Sequence, residues 1–337
     1  MPVHPLPPWL AAAALITTAS AAASNPETST VHKLRHDSFV RAGRFIQHTG
    51  RPLEQALYAW EFDHGSPKAV VAALATFQNP DGGFAARLES DHRWQGSSAT
   101  AAMVALRVLD RVKTSPDDRV VRSLVKYLLA TFDEKVGGWH AMPIEANAAP
   151  HAPWWDVHAD SGKCVVESAV FPTAAIAAHL RPYSALLPPG FLDRITRASL
   201  QYLEDSSIDI AMPDVDVLTD LAAHLPPNVR DPYVIRLREV LAKAVVRDPL
   251  QWSSYGIQPT SYVEAPASPF YSGLEADVAV NLDYIVSMQR TDGGWDPNWS
   301  WSDVNPSAWQ AALKEIRASI TLQNLEKLTA YQRIEGR

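Results

Sequence analysis

The chain has 337 residues, with 30 Lys and Arg against 37 Asp and Glu, a formal charge of −7. With no long basic run, that balance argues against nucleic acid or an anionic membrane as the main partner. The single cysteine, Cys164, excludes an intramolecular disulfide framework and any multi-thiolate metal site. A hydrophobic share of 47% supports a sizeable core.

In chain order, residues 1–30 come first. An apolar run from Trp9 to Ile16 and small residues from Ala19 to Ser24 read like a signal peptide, but residues 1–8 hold no Lys or Arg. The expectation is a flexible Ala-rich extension or a weak signal peptide ahead of one domain over 31–337. The cytoplasm is favoured and secretion stays open. No later segment reaches the roughly 18 apolar residues of a membrane span, so no transmembrane helix is expected. Helical periodicity then dominates, predicting helices over 31–48, 52–62, 66–78, 96–113, 116–131, 169–181, 190–204, 214–224, 230–246, 271–289, 306–317 and 320–333. Ser115-Pro116-Asp117-Asp118 predicts a first turn rich in proline and acids, and Asn305-Pro306 a cap-plus-proline start. The longest irregular stretch, Ala141 to Ser168, is rich in aromatic residues, and a loop of that length inside a domain is usually functional.

One phrase recurs. It reads Gln78-Asn-Pro-Asp-Gly-Gly-Phe84, then Phe132-Asp-Glu-Lys-Val-Gly-Gly-Trp139, then Gln289-Arg-Thr-Asp-Gly-Gly-Trp295. Each copy follows an apolar helical stretch, so the repeating unit is a helix ending in a Gly-Gly turn that delivers an aromatic ring. Degenerate units are expected at Tyr202–Ser206 and Val245–Trp252. Five or six such hairpins suit a ring better than an open solenoid, because a ring buries its own ends.

These phrases resemble the QW repeats of squalene–hopene and other class II terpene cyclases, and the related repeats of protein prenyltransferase β subunits, over roughly residues 50–333. The resemblance implies an all-α fold, an α/α toroid around a central cavity, in which Gln78 with Phe84 and Gln289 with Trp295 brace neighbouring hairpins. It also implies an apolar, isoprenoid-like ligand. The implied function is a cofactor-free, terpenoid-cyclase-like lyase or isomerase that cyclises or isomerises an apolar polyene, acid-initiated or driven by cavity shape. The alternatives are a non-catalytic binding protein for an apolar ligand and a glycan-active toroid enzyme. A homo-oligomer or a peripheral membrane contact stays open.

Class II cyclases protonate an alkene with an Asp-x-Asp-Asp acid. Asp214-Val-Asp216-Val217 matches its first two acids and makes Asp216 the candidate donor, with Asp214 its partner; Val217 replaces the third. The competing reading makes Asp214 or Asp216 the cap of the helix through Leu221. No Asp-Asp-x-x-Asp segment is present to hold Mg²⁺ on a diphosphate. Asp156, His158, Asp160 and Cys164 bring zinc-ligand residue types together, but without the prenyltransferase spacing, so no metal is expected. Three segments carry candidate binding residues: Asp91 after the first Gly-Gly turn; His151, Trp154, Trp155, Asp156 and His158 in the long loop; Trp299 and Trp301 after the last turn. In a toroid the loops that follow successive hairpins gather at one mouth, where these residues would line a ligand site with Trp252 and Tyr255 as aromatic wall.

Overall fold

The computed structural model describes residues 31–207 and 210–337; the expectation for residues 1–30 lies outside them. The protein is mostly helical. The helices are α1 (His36–Thr49), α2 (Pro52–Phe62), α3 (Pro67–Ala75), α4 (Ala99–Arg111), α5 (Arg119–Thr131), α6 (Thr173–Leu180), α7 (Phe191–Asp205), α8 (Met212–Ala223), α9 (Pro227–Ala244), α10 (Glu275–Ser287) and α11 (Pro306–Ala330). Strands β1 (Phe84–Ala85) and β2 (Ser97–Ser98) form an antiparallel pair that returns the first repeat loop to α4.

Three boundaries differ from the sequence expectation for physical reasons. The segments 306–317 and 320–333 form one helix, because Ala318 and Ser319 contain neither Gly nor Pro to stop it. The helix expected from 116 begins at Arg119, with Asp118 as its cap accepting the Val120 N–H. The helix expected from 214 begins at Met212 with Ala211 at the cap position, so neither Asp214 nor Asp216 caps it. Asn305 does cap α11, accepting the Ala308 N–H at 3.0 Å.

Helix α6 is buried at every position from Thr173 to Leu180, as suits an element with neighbours on all sides. It packs on α4, α7 and α8; α8 packs on α9, α2 on α3 and α11, and α1 on α11. The two ends of the described chain meet, with Leu34 bridging Ile334.

The Gly-Gly turns do the joining. Gln78 Nε2 donates to its own turn at Gly82 O (3.0 Å) and across to Val120 O (3.0 Å) in the first turn of α5. Gln289 Nε2 repeats this, donating to Gly293 O (3.0 Å) and to Ser38 O (2.9 Å) in the first turn of α1. Gly82 and Gly293 have φ of +91° and +96°, and a Cβ on either would strike a backbone carbonyl three residues further along the same receiving helix, at Ser123 or Arg41. Glycine is therefore required twice over, by conformation and by approach. In the second copy Phe132 replaces Gln and packs edge-on against Phe191 instead. The aromatic residues lock the turns: Trp139 and Trp295 donate their indole N–H to Leu128 O (2.8 Å) and Ile285 O (2.7 Å), and their backbone N–H to Thr173 and Thr321 hydroxyls.

Candidate functional site

The first repeat loop, the long loop and the last repeat loop converge. His92 bridges His151 through the backbone, and their rings stack at 4.9 Å and 9°. Asp91 is buried beneath the last loop, accepting the indole N–H of Trp301 at 2.7 Å and of Trp299 at 3.2 Å. Burial first, and then the charge of Glu89, raise the Asp91 carboxyl to about 7, against the pull of the two indole donors. Glu89 is itself raised, chiefly by burial. Asp91 therefore holds its proton near neutrality, while His92, pushed down to about 3 by burial and by His151, is a neutral imidazole whose Nδ1 accepts the Trp94 N–H.

Tyr255 stands among these groups. Burial and the charges of Asp91, Asp216 and Glu89 raise its phenol to about 12. Tyr262 is raised by burial and by Asp216 and Tyr255. Both phenols therefore stay protonated, and Tyr262 donates to Met212 O at 3.3 Å. Glu89, Asp91, Asp216, Tyr255 and Tyr262 thus form one electrostatic neighbourhood drawn from two loops and α8.

The remaining predicted residues divide. His151 bonds Ala149 O at 2.6 Å and Asp156 at 2.8 Å, which orients the ring that stacks on His92. Trp155 is buried near Phe171, and Trp154 is half-buried against the core. Trp252 is buried, donating to Val246 O and packing edge-on against Tyr284, a bracing role at the degenerate repeat. His158 and Asp160 are exposed while Cys164 is buried, its thiol raised to about 12 by burial, so these side chains do not converge. Asp214 accepts from Ser168 (2.5 Å) and Tyr202 (2.6 Å), tying α8 to α7 and the long loop. Asp216 is ion-paired with Arg107 at 2.7 Å. Asp216 is thus held as a paired carboxylate, whereas Asp91 is a buried carboxyl with a raised proton affinity.

Sequence reasoning missed a second polar group that joins α4, α6 and α8. Arg107 of α4 spans Asp216 and Asp220 of α8. Asp220 reaches His179 Nε2 (3.2 Å), and Asp110 reaches His179 Nδ1 (2.9 Å) and His224 Nε2 (3.0 Å). Burial opposes the charge of Asp110, but hydrogen bonds from His179, His224 and Lys113 hold its carboxyl far below the usual range. A signal was present: Asp216, Asp220 and His224 lie at i, i+4 and i+8, one face of a helix. No protein-family model and no curated protein matches this chain.

Proposed function

We propose that this chain is an α/α-toroid enzyme that uses Asp91 as a general acid at the loop-rich mouth of a central hollow. The observation that carries the reading is a buried carboxyl held near pH 7 by burial and a neighbouring acid, fixed by two indole donors. Support for the ring comes from the meeting of α1 with α11 and from Gln289, which joins residues 251 apart in sequence. Support for the hollow comes from Arg107, Asp216 and Asp220, which keep 32%, 36% and 26% of their side-chain surface open although they project between inner helices.

The proton affinity of Asp91 narrows the chemistry. An acid that releases its proton near pH 7 is matched to an oxygen leaving group, whereas an alkene carbon is a far weaker base and asks for a stronger acid. The reading is therefore a terpenoid-type substrate carrying an ether, epoxide or hydroxyl oxygen. Asp91 protonates that oxygen, the C–O bond breaks, the cation cyclises or isomerises beside the rings of Trp299, Tyr255 and Tyr262, and loss of a proton from carbon to the Asp91 carboxylate gives a neutral alkene and restores the acid. No cofactor is needed for this step. The charged wall of Arg107, Asp216 and Asp220 favours a second reading, general-acid cleavage of a glycosidic oxygen in a hydroxylated substrate.

The test pairs two measurements. Wild type and Asp91→Asn are assayed on oxygenated polyprenyl compounds and on chromogenic glycosides, and the substitution is expected to lower turnover on the order of 10²–10⁴-fold. The intrinsic tryptophan fluorescence of the wild type is titrated as well; a transition near pH 7 that is lost in Asp91→Asn is expected. Equal turnover in the two proteins removes Asp91 as the acid. The class of compound consumed decides between the two substrates.

A further inference from the structure

The C-terminal ends of α4, α6 and α8 meet at a cluster that the proposed acid chemistry does not use. Asp110 Oδ2 lies 2.9 Å from His179 Nδ1 and 3.0 Å from His224 Nε2, and one ligand atom from each of the three residues lies within 4.8 Å of the others. We propose that Asp110, His179 and His224 form a binding site for a divalent first-row transition ion of the zinc type.

Three observations beyond proximity carry this. The first is the outer partners. His179 turns its far nitrogen, Nε2, to the Asp220 carboxylate at 3.2 Å, and His224 turns its far nitrogen, Nδ1, to the Asp220 backbone carbonyl at 2.7 Å. An imidazole that donates one N–H to a fixed oxygen presents the lone pair of its other nitrogen, the support found behind metal-binding histidines. In the metal-free cluster the two inner nitrogens hydrogen-bond to one Asp110 oxygen, and an ion would take the place of those protons. The second is Tyr183. It follows His179 by four residues, is fully buried, and its hydroxyl has no hydrogen-bond partner among the described residues. A buried hydroxyl of this kind usually has a partner, and a water on the ion would supply one. The third is the helix ends. Asp110 and His179 lie in the last turns of α4 and α6, and His224 is the C-cap of α8. Their terminal carbonyls favour a cation.

Two nitrogens and one carboxylate oxygen suit zinc, cobalt or nickel better than magnesium or calcium, which prefer all-oxygen shells. Three protein ligands leave a position for water. His224 is 28% exposed in its side chain and the Lys113 paired with Asp110 is 81% exposed, so the cluster borders solvent.

The test uses the whole protein, stripped with a chelator and titrated with Co²⁺ as an optical probe and with Zn²⁺ by calorimetry. The expected result is one equivalent of Co²⁺ with visible ligand-field absorption that Zn²⁺ abolishes. His224→Ala should weaken binding at least about tenfold, while His48→Ala, at an exposed position on α1, leaves it unchanged. His224→Gln, which can keep the bond to the Asp220 carbonyl, should weaken it as well and guards against a folding defect in the alanine variant. Failure of the wild type to bind stoichiometrically, or equal affinity in the His224 and His48 variants, overturns the site and leaves an ion-pair cluster. Either result is independent of turnover by Asp91.

Discussion

Asp91, just before α4, and Asp110, near its end, are buried to the same degree, 6% and 4% exposed, yet their carboxyls move in opposite directions. Asp91 faces another acid, Glu89, and two uncharged indole donors. Asp110 faces His179, His224 and Lys113. Burial alone would raise both, so the sign is decided by the charges that the neighbouring segments bring. The loops around Asp91 favour a held proton. The helix ends around Asp110 favour a negative charge with cationic partners. Helix α4 and the loop before it thus carry carboxyls of opposite tendency, with Arg107, paired to Asp216 and Asp220, between them.

The strongest way to break this contrast is to remove the charge at the helix ends. Asp110→Ala takes away the group that pairs two histidines and a lysine, and His179 then keeps only Asp220. Breaking one side of a buried charged cluster costs roughly 3–5 kcal/mol. Chemical denaturation of the metal-free protein should show a loss of that size. A loss below about 1 kcal/mol would mean that the three helix ends are held by apolar packing alone.

The next test sharpens the other end. The Asp91 carboxyl sits at about 7 in the folded protein against an ordinary 3.8. A raised acid binds more protons when folded, so its contribution to stability is full below pH 3.8 and is lost as pH rises through 7. Asp91→Asn, which cannot ionise, should therefore be more stable than wild type at pH 8, on the order of 2–4 kcal/mol at about 1.4 kcal/mol per pH unit. The difference should shrink toward zero at pH 4. Stability curves that stay parallel across this range would show that Asp91 is not held protonated.

Local signals made much of the region around Asp91 readable in the sequence. The Gly-Gly turns, their aromatic residues and their glutamines act within a few residues of one another, so the spacing itself encodes them. Asp91, His151 and Trp299 could be grouped because each follows a helix–turn unit in the same place. The roles within that group were less legible. Asp216 fits the acid pattern of the resembled family, but Arg107, 109 residues away, pairs with it, and no local spacing reveals such a partner. The cluster of Asp110, His179 and His224 was harder still, since it joins the ends of three helices separated by long loops. Only the polar stripe Asp216, Asp220 and His224 on α8 marked it. The join of the last two expected helices was missed because charged and apolar residues fall in register across Ala318, and nothing there breaks a helix.

The smallest expected effect tests whether the mouth can be loosened without touching the helix ends. Each repeat glutamine spends one side-chain amide on two acceptors, its own turn and the first turn of another helix. Gln78 steadies the loop that carries Glu89 and Asp91. Gln289 steadies the loop that carries Trp299 and Trp301. At about 1 kcal/mol for each net hydrogen bond, Gln78→Ala or Gln289→Ala should cost ~1–2 kcal/mol. Gln289→Ala should cost more, because its second acceptor lies in α1 and it helps hold the two ends of the chain together. Both loops end on the Asp91 carboxyl, so either change should also shift the fluorescence titration attributed to Asp91. The cluster at Asp110 lies beyond Arg107 and shares no hydrogen bond with either turn, so Co²⁺ affinity should stay at the wild-type value. If a glutamine variant changes both readouts equally, the two ends are one cooperative unit, and their opposite treatment of a carboxyl cannot be tuned separately.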